Sequence, residues 1–325
     1  MTRVYITIDT EYSAGHARRH GLDGAARAEN FARSIACRTA QNAVGVEYQM
    51  DRFDRHGLKA VFFVDPMPGL VWVVEAVADV VGPIVARGHD VQLHLHTEWL
   101  ELAGSANPLG TRTGLNIADF AFEDQCRLID LARGLLVAAG APPPVCFRAG
   151  NYGANDDTLR ALAELGLSHD TSHPPGIAGS LCRIGLGPDD RLPVERLGIT
   201  EVPIAAIAAR GRALRHAQIT ALSAGELLAA IAHAHDHGLA DFTLVSHSFE
   251  LLSRNRQAIN RVVRRRFDAF CAGLAALPGV RTATYATEPP APCAGPAPVL
   301  PHAWPRTLWR LAEQAVSNQL WGEKA

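Results

Sequence analysis

The chain has no CxxC pair: its six cysteines, Cys37, Cys126, Cys146, Cys182, Cys271 and Cys293, are scattered along 325 residues. That excludes a zinc knuckle and leaves reduced thiols in the cytoplasm as the simpler reading. No GxGxxG follows the first apolar run and no GxxxxGK[ST] loop occurs, so nucleotide-cofactor chemistry loses most of its support. No unbroken apolar run reaches the ~18 residues that a membrane-spanning helix needs. The opening "MTRVYITID" also lacks the basic and apolar regions of an export signal. We therefore expect a cytoplasmic protein without a transmembrane segment. Lysine is nearly missing, with Lys59 and Lys324 alone, so arginine is the default cation. A formal net charge of −2 argues neither for nor against a polyanionic partner, and no nucleic-acid partner is expected.

What is present is an ordinary globular composition, 48% hydrophobic and 20% charged, sufficient for a substantial core. Short β-branched runs, "VYITID" at 4–9, "KAVFFVD" at 59–65, "DVQLHLH" at 90–96, "VCFRAG" at 145–150 and "FTLVSHSF" at 242–249, alternate with helical patterns. The helices are expected at 41–56, 71–87, 118–139, 155–165, 224–237 and 258–276, with Gly57 and Gly88 ending the first two. This βα alternation predicts an α/β fold with a mostly parallel sheet. "EPPAPCAGPAPVLP" breaks the pattern. We place a catalytic domain at 1–287, a Pro/Ala-rich linker at 288–303 and a helical tail at 304–325.

The informative polar residues stand at the carboxyl ends of those strands, the edge on which parallel barrels build their sites. Asp9 and Glu11 close the first run and lean to one side if the strand continues; a solvated loop start is the plain alternative. His94 and His96 share a face and can converge on one ion, a spacing that suits zinc, with Glu98 as ligand or supporting carboxylate. His247 is either a satisfied core histidine or a general acid or base. Arg148 either holds a carboxylate by paired hydrogen bonds or is a surface charge. Gly150 and Gly153 beside it suggest a close backbone approach.

The ordered set "TIDTE", "GLKAVFFVD", "RGHDVQLHLHTEW", "FRAGNYG" and "LVSHSFE" resembles the polysaccharide deacetylase (NodB homology) family of carbohydrate esterases over roughly residues 3–286. The resemblance implies an irregular (β/α) barrel that removes an N- or O-acetyl group with a divalent metal, usually zinc, with manganese, cobalt or nickel as alternatives. It implies Asp9 as general base, Arg148 as the group orienting it, His247 as the acid serving the leaving group, and Asp170 as a supporting acid. Thr10 stands where the family commonly has a metal-binding aspartate, which moves that role to Glu11. His94 matches the first histidine of the family's H-[ST]-x-x-H motif, and Glu98 occupies the place of the second. Strand geometry instead selects Glu11, His94 and His96, because Thr97 favours continued extension and keeps Glu98 off the ion.

The resemblance further implies an acetylated sugar substrate. Without an export signal, a nucleotide- or lipid-linked precursor is expected rather than a mature wall polymer. Two arginine-bearing stretches, 13–40 and 254–266, each follow a rim-ending strand and suggest an anionic handle on that substrate. An amidase or isomerase acting on a non-sugar compound, or a catalytically silent carbohydrate-binding relative, are the other readings of the same residues.

Overall fold

A computed structural model describes residues 1–211 and 213–321. The strands are β1 Thr2–Thr10, β2 Val61–Val64, β3 Asp90–Leu95, β4 Cys146–Ala149, β5 His169–Asp170, β6 Val194–Arg196, β7 Ile199–Glu201, β8 Ala206–Ala208, β9 Leu214–His216, β10 Asp241–His247 and β11 Val280–Thr282. The helices are α1 Ala14–His20, α2 Gly24–Ser34, α3 Val46–Arg55, α4 Gly69–Ala86, α5 Phe122–Ala138, α6 Asp156–Glu164, α7 Ala224–Asp236, α8 Arg261–Ala275 and α9 Trp304–Trp321.

The main sheet runs β10-β1-β2-β3-β4-β5-β7-β6, parallel except for the terminal β6–β7 hairpin, and β11 pairs with the first residues of β1. Between β7 and β10 the sheet is joined by irregular chain. Val202 N–H donates to Asp170 O, Ala205 N–H to Thr243 O, and Val245 N–H to Ala217 O. The result is an irregular (β/α) barrel.

Strand alternation divides the side chains into two populations. Val4, Ile6 and Ile8 of β1 point outward into the large core under the helices, with Phe62, Leu93, Phe147 and Leu244 from neighbouring strands. Tyr5 points inward and joins Val61, Phe63, Cys146, Val202 and Tyr285 in a small apolar plug inside the barrel. Above the plug the inward positions turn polar. Since these strands are parallel, their carboxyl ends share one rim, and the register sets Asp9 beside His247 and His94 beside Arg148.

Several elements depart from the expectation. Residues 13–40 hold α1 and α2, which lack a clear apolar stripe and start at the caps Ser13 and Asp23. β5 to β9 and β11 span two or three residues each and exist through pairing, with no run long enough to show a period. α4 is long and apolar enough to cross a membrane (mean hydropathy 1.8), although Glu75 and Asp79 interrupt it. Its Val77, Val80, Val81 and Ile84 are buried in the core. Residues 288–303 contain no helix or strand; α9 follows to Trp321, and the rest of the expected 304–325 tail lies outside the described residues.

Candidate active site

Asp9 ends the inward row of β1 and is buried. Its Oδ1 accepts a hydrogen bond from Arg148 Nη1 at 2.5 Å, and its Oδ2 lies 3.8 Å from His247 Nε2. The Arg148 side chain is wholly buried. Its guanidinium stacks 4.2 Å from the Phe63 ring centre and donates to Thr171 O and Thr171 Oγ1. Burial pushes the Asp9 carboxyl up, but Arg148, His94 and His247 outweigh it and hold Asp9 below the usual carboxylate range. Arg148 is thus a buried charge matched to a buried carboxylate.

Beside this pair the ligand atoms of Glu11, His94 and His96 lie within 4.8 Å of one another. His94 Nδ1 faces Arg148 O at 2.8 Å, so Nδ1 carries the proton and the Nε2 lone pair points at Glu11 Oε2, 3.5 Å away. His96 also turns Nε2 onto Glu11 Oε2. Buried Glu11 Oε2 is faced by these two imidazole nitrogens and, among the described residues, by no other donor. Two imidazole nitrogens and one buried carboxylate oxygen, converging from a rim, form a donor set that fits a divalent ion such as zinc.

Glu98 is not brought into that cluster. Immediately after His96 the chain enters a 3-10 turn, Thr97–Glu101, held by the Thr97 hydroxyl donating to Gly114 O at 2.8 Å. The expected extension through Thr97 is therefore wrong: tertiary contact overrides the β-branched preference. The turn carries Glu98 behind the ring, where Oε2 meets His96 Nδ1 at 2.7 Å. Gly150 makes room for this ring, since a Cβ there would stand 2.7 Å from His96 Nδ1. Gly153 similarly abuts Asn116.

Asp170 is also placed away from the site. β5 pairs Asp170 with Phe147, an outward position, and the inward neighbour that meets Arg148 is Thr171. On the outer side of the sheet Asp170 accepts from the Ser172 hydroxyl at 2.8 Å and faces Glu201. Burial, with Asp170 alongside, holds Glu201 well above the usual carboxylate range, so the pair shares a proton. Among the described residues no hydrogen bond or ion pair joins Asp170 to Asp9, Arg148 or His247.

Two acids that the sequence reading missed do reach the site. Glu250 Oε1 accepts from His247 Nδ1 at 2.8 Å, and Ser246 and Gln218 donate to the same carboxylate. Burial pulls the His247 imidazolium down, but the hydrogen bond and charge of Glu250, with Asp9 and Glu11, raise it to about 9. Asp65 follows β2; its Oδ1 accepts from Met67 N and His96 N, and its Oδ2 is buried without a donor. Burial pushes Asp65 up to about 6 against the pull of His96 and His94. The signal for Asp65 was available, because "FFVD" ends a strand in an acid just as "TID" does. Glu250 gave none, since a turn three residues beyond His247 can point anywhere.

No family model and no curated protein sequence matches the chain. Solved structures do. One is described as a polysaccharide deacetylase from Mycobacterium smegmatis; it is 14% identical, with 92% of this chain and 96% of that one covered and a TM-score of 0.53. A 4-alpha-glucanotransferase from Thermococcus litoralis is 13% identical at TM-score 0.54, with 88% of this chain covering 40% of that larger one. A family 4 carbohydrate esterase from Streptomyces lividans in complex with acetate is 12% identical at TM-score 0.45, with 92% and 98% covered. At such identities the likeness is one of fold, and one fold serves more than one chemistry. The chain is built on the NodB-type fold of polysaccharide deacetylases.

Proposed function

We propose that the protein is a metal-dependent deacetylase that hydrolyses the N-acetyl, or O-acetyl, group of a sugar, acting in the cytoplasm on a nucleotide- or lipid-linked precursor. The observation that carries this reading is the line of groups on the rim. A carboxylate held ionised by a buried arginine, Asp9, stands between a Glu11, His94, His96 cluster and a protonated histidine, His247. We assign zinc to that cluster, and a divalent ion there supplies Lewis acidity toward the acyl oxygen and acidifies a water.

The remaining work falls to side chains of this chain. Asp9 is kept ionised and so accepts the proton of the attacking water. Arg148 fixes which Asp9 oxygen is free, because Oδ1 is engaged and Oδ2 lies on the His247 side, 3.8 Å from its Nε2. A carbon–oxygen bond forms to the acyl carbon and the carbon–nitrogen bond breaks. His247 gives its proton to the departing nitrogen, leaving acetate and an amino sugar. Glu250 holds the imidazole by Nδ1, so Nε2 is the atom that faces the reaction. Glu98 and the Arg148 carbonyl do the same for the two ligand histidines, fixing the ring orientation from behind.

The test is acetate release from a panel of acetamido sugars, free, phosphorylated and nucleotide-linked, together with the metal content of the purified protein. Acetate formed in proportion to bound zinc, and lost with Asp9→Asn, supports the reading. Zinc without acetate release from any sugar points to another metal-dependent hydrolysis, and a protein that holds no divalent ion overturns the assignment. Manganese, cobalt or nickel in place of zinc would revise only the ion.

A further inference from the structure

The arginines of residues 13–40 and 254–266 divide into two groups. Arg18 pairs with Glu101, Arg27 with Asp79 and Arg266 with Glu313, so these are neutralised. Arg19, Arg33, Arg254 and Arg256 have no carboxylate within ion-pair distance among the described residues, and all line one cavity of about 330 Å³. His16, Ser13, Ser34 and Asn255 complete its wall, and no acid contributes to it. Among the described residues Glu29 reaches only His16, at 4.0 Å, and Glu11 acts on Arg256 without pairing with it, so four like charges gathered with little counter-charge repel one another, at a cost that a bound anion would offset.

Their positions are built. Arg256 adopts a left-handed backbone, φ 57°, its guanidinium lies 3.9 Å from the Phe249 ring centre, and Nη1 donates to Ser34 Oγ at 3.2 Å. Arg33 Nη2 reaches Asn255 O at 3.4 Å, and Arg19 Nε donates to Gly15 O at 3.1 Å. Each of these three partners is neutral, which steers the guanidinium groups of Arg256, Arg33 and Arg19 without pairing any of them with a carboxylate among the described residues. The cavity also adjoins the candidate active site. Ser13 and Arg256 line it and, at the same time, line a smaller cavity of about 170 Å³ that opens on Glu11 and His96.

We propose that this cavity binds the phosphate or diphosphate of the substrate, seating the sugar with its acetyl group over Glu11, His94 and His96. This inference rests on the deacetylase reading for the identity of the rest of the substrate. A single carboxylate would leave most of the four guanidinium groups unmatched, whereas a diphosphate offers several charged oxygens to planar forks. A sugar diphosphate on a nucleoside and one on a polyprenyl carrier present the same chemistry to these arginines.

Binding of inorganic pyrophosphate to the full-length protein by titration calorimetry tests the site without any turnover. Wild type should bind, more weakly at high salt, and the R33Q/R254Q double variant should lose at least about tenfold in affinity, since each change removes a charged hydrogen-bonding partner. Arg18→Gln, which breaks only the Glu101 pair, should bind as wild type does. No binding by wild type, or equal binding by the double variant, overturns the proposal. Acetate release from neutral, nucleoside-diphosphate and polyprenyl-diphosphate acetamido sugars then separates the two claims. Pyrophosphate binding with no acetate from any of them leaves the anion site standing and removes the deacetylase. Acetate from neutral and phosphorylated sugars with equal efficiency removes the anion site and leaves the deacetylase.

Discussion

Replacing Glu250 by glutamine should lower the pH at which the enzyme loses its acid. Glu250 accepts the Nδ1 proton of His247 at 2.8 Å, and both side chains are largely buried. An imidazolium raised from 6.5 to about 9 is favoured by about 3 kcal/mol over the unperturbed group. Burial opposes that preference and Glu250 is its largest support, ahead of Asp9 and Glu11. Glutamine keeps a hydrogen-bonding side chain of the same length but removes the charge. The ionisation should then drop by up to about two pH units, toward the ordinary histidine value. Since the protonated form acts as the acid, activity in the wild type is lost as pH rises through the folded value, and in the variant that limb moves to lower pH. A bound divalent ion shifts both proteins the same way, so the difference between them is the quantity to read. The assay is the pH dependence of kcat/KM for acetate release, with an NMR titration of the His247 ring as a readout that needs no substrate. An unmoved limb and an unmoved ring titration in Glu250→Gln would refute the assignment.

Asp9→Asn removes the proton acceptor and strands a wholly buried guanidinium, so we expect acetate release to fall by about 10²- to 10⁴-fold. Stability should fall with it by about 3–5 kcal/mol, measured by urea unfolding. His96→Ala should lose zinc outright in equilibrium dialysis, whereas Glu98→Ala, which removes only the partner behind the ring, should weaken it by about 10- to 100-fold; the reverse order would make Glu98 the ligand. Gly150→Ala places a Cβ against the His96 ring, and we expect weaker zinc binding with a normal far-UV spectrum. Glu201→Gln should unfold within about 1 kcal/mol of wild type at neutral pH, because the pair already carries a proton that the amide replaces. Glu201 has a raised folded-state pKa, so wild-type stability falls as pH climbs from the ordinary glutamate value toward the raised one. The variant should lack that fall.

The order of strands and helices was legible in the sequence because each long strand carries its own record: a β-branched run, a polar residue at its end, and a helical period after it. Parallel pairing then sends every such end to one rim, and that is enough to bring Asp9, Glu11, His94, Arg148 and His247 together. Strand periodicity sets His96 rather than Glu98 beside Glu11 and His94, and the structure groups those three side chains, although the chain curls at Thr97 instead of extending. What the tertiary structure alone decided were meetings between segments with no shared local pattern. Asp170 faces Glu201 and not Arg148 because a two-residue strand is set in register by its neighbours, and a single step along it exchanges inside for outside. Glu250 reaches His247 because of the turn between them. Among the arginines, a count could not tell Arg18, answered by Glu101, from Arg33, answered by no acid among the described residues; that distinction depends on where distant loops come to rest. A guanidinium is the same group in every context, and its function follows from whether a carboxylate stands within reach.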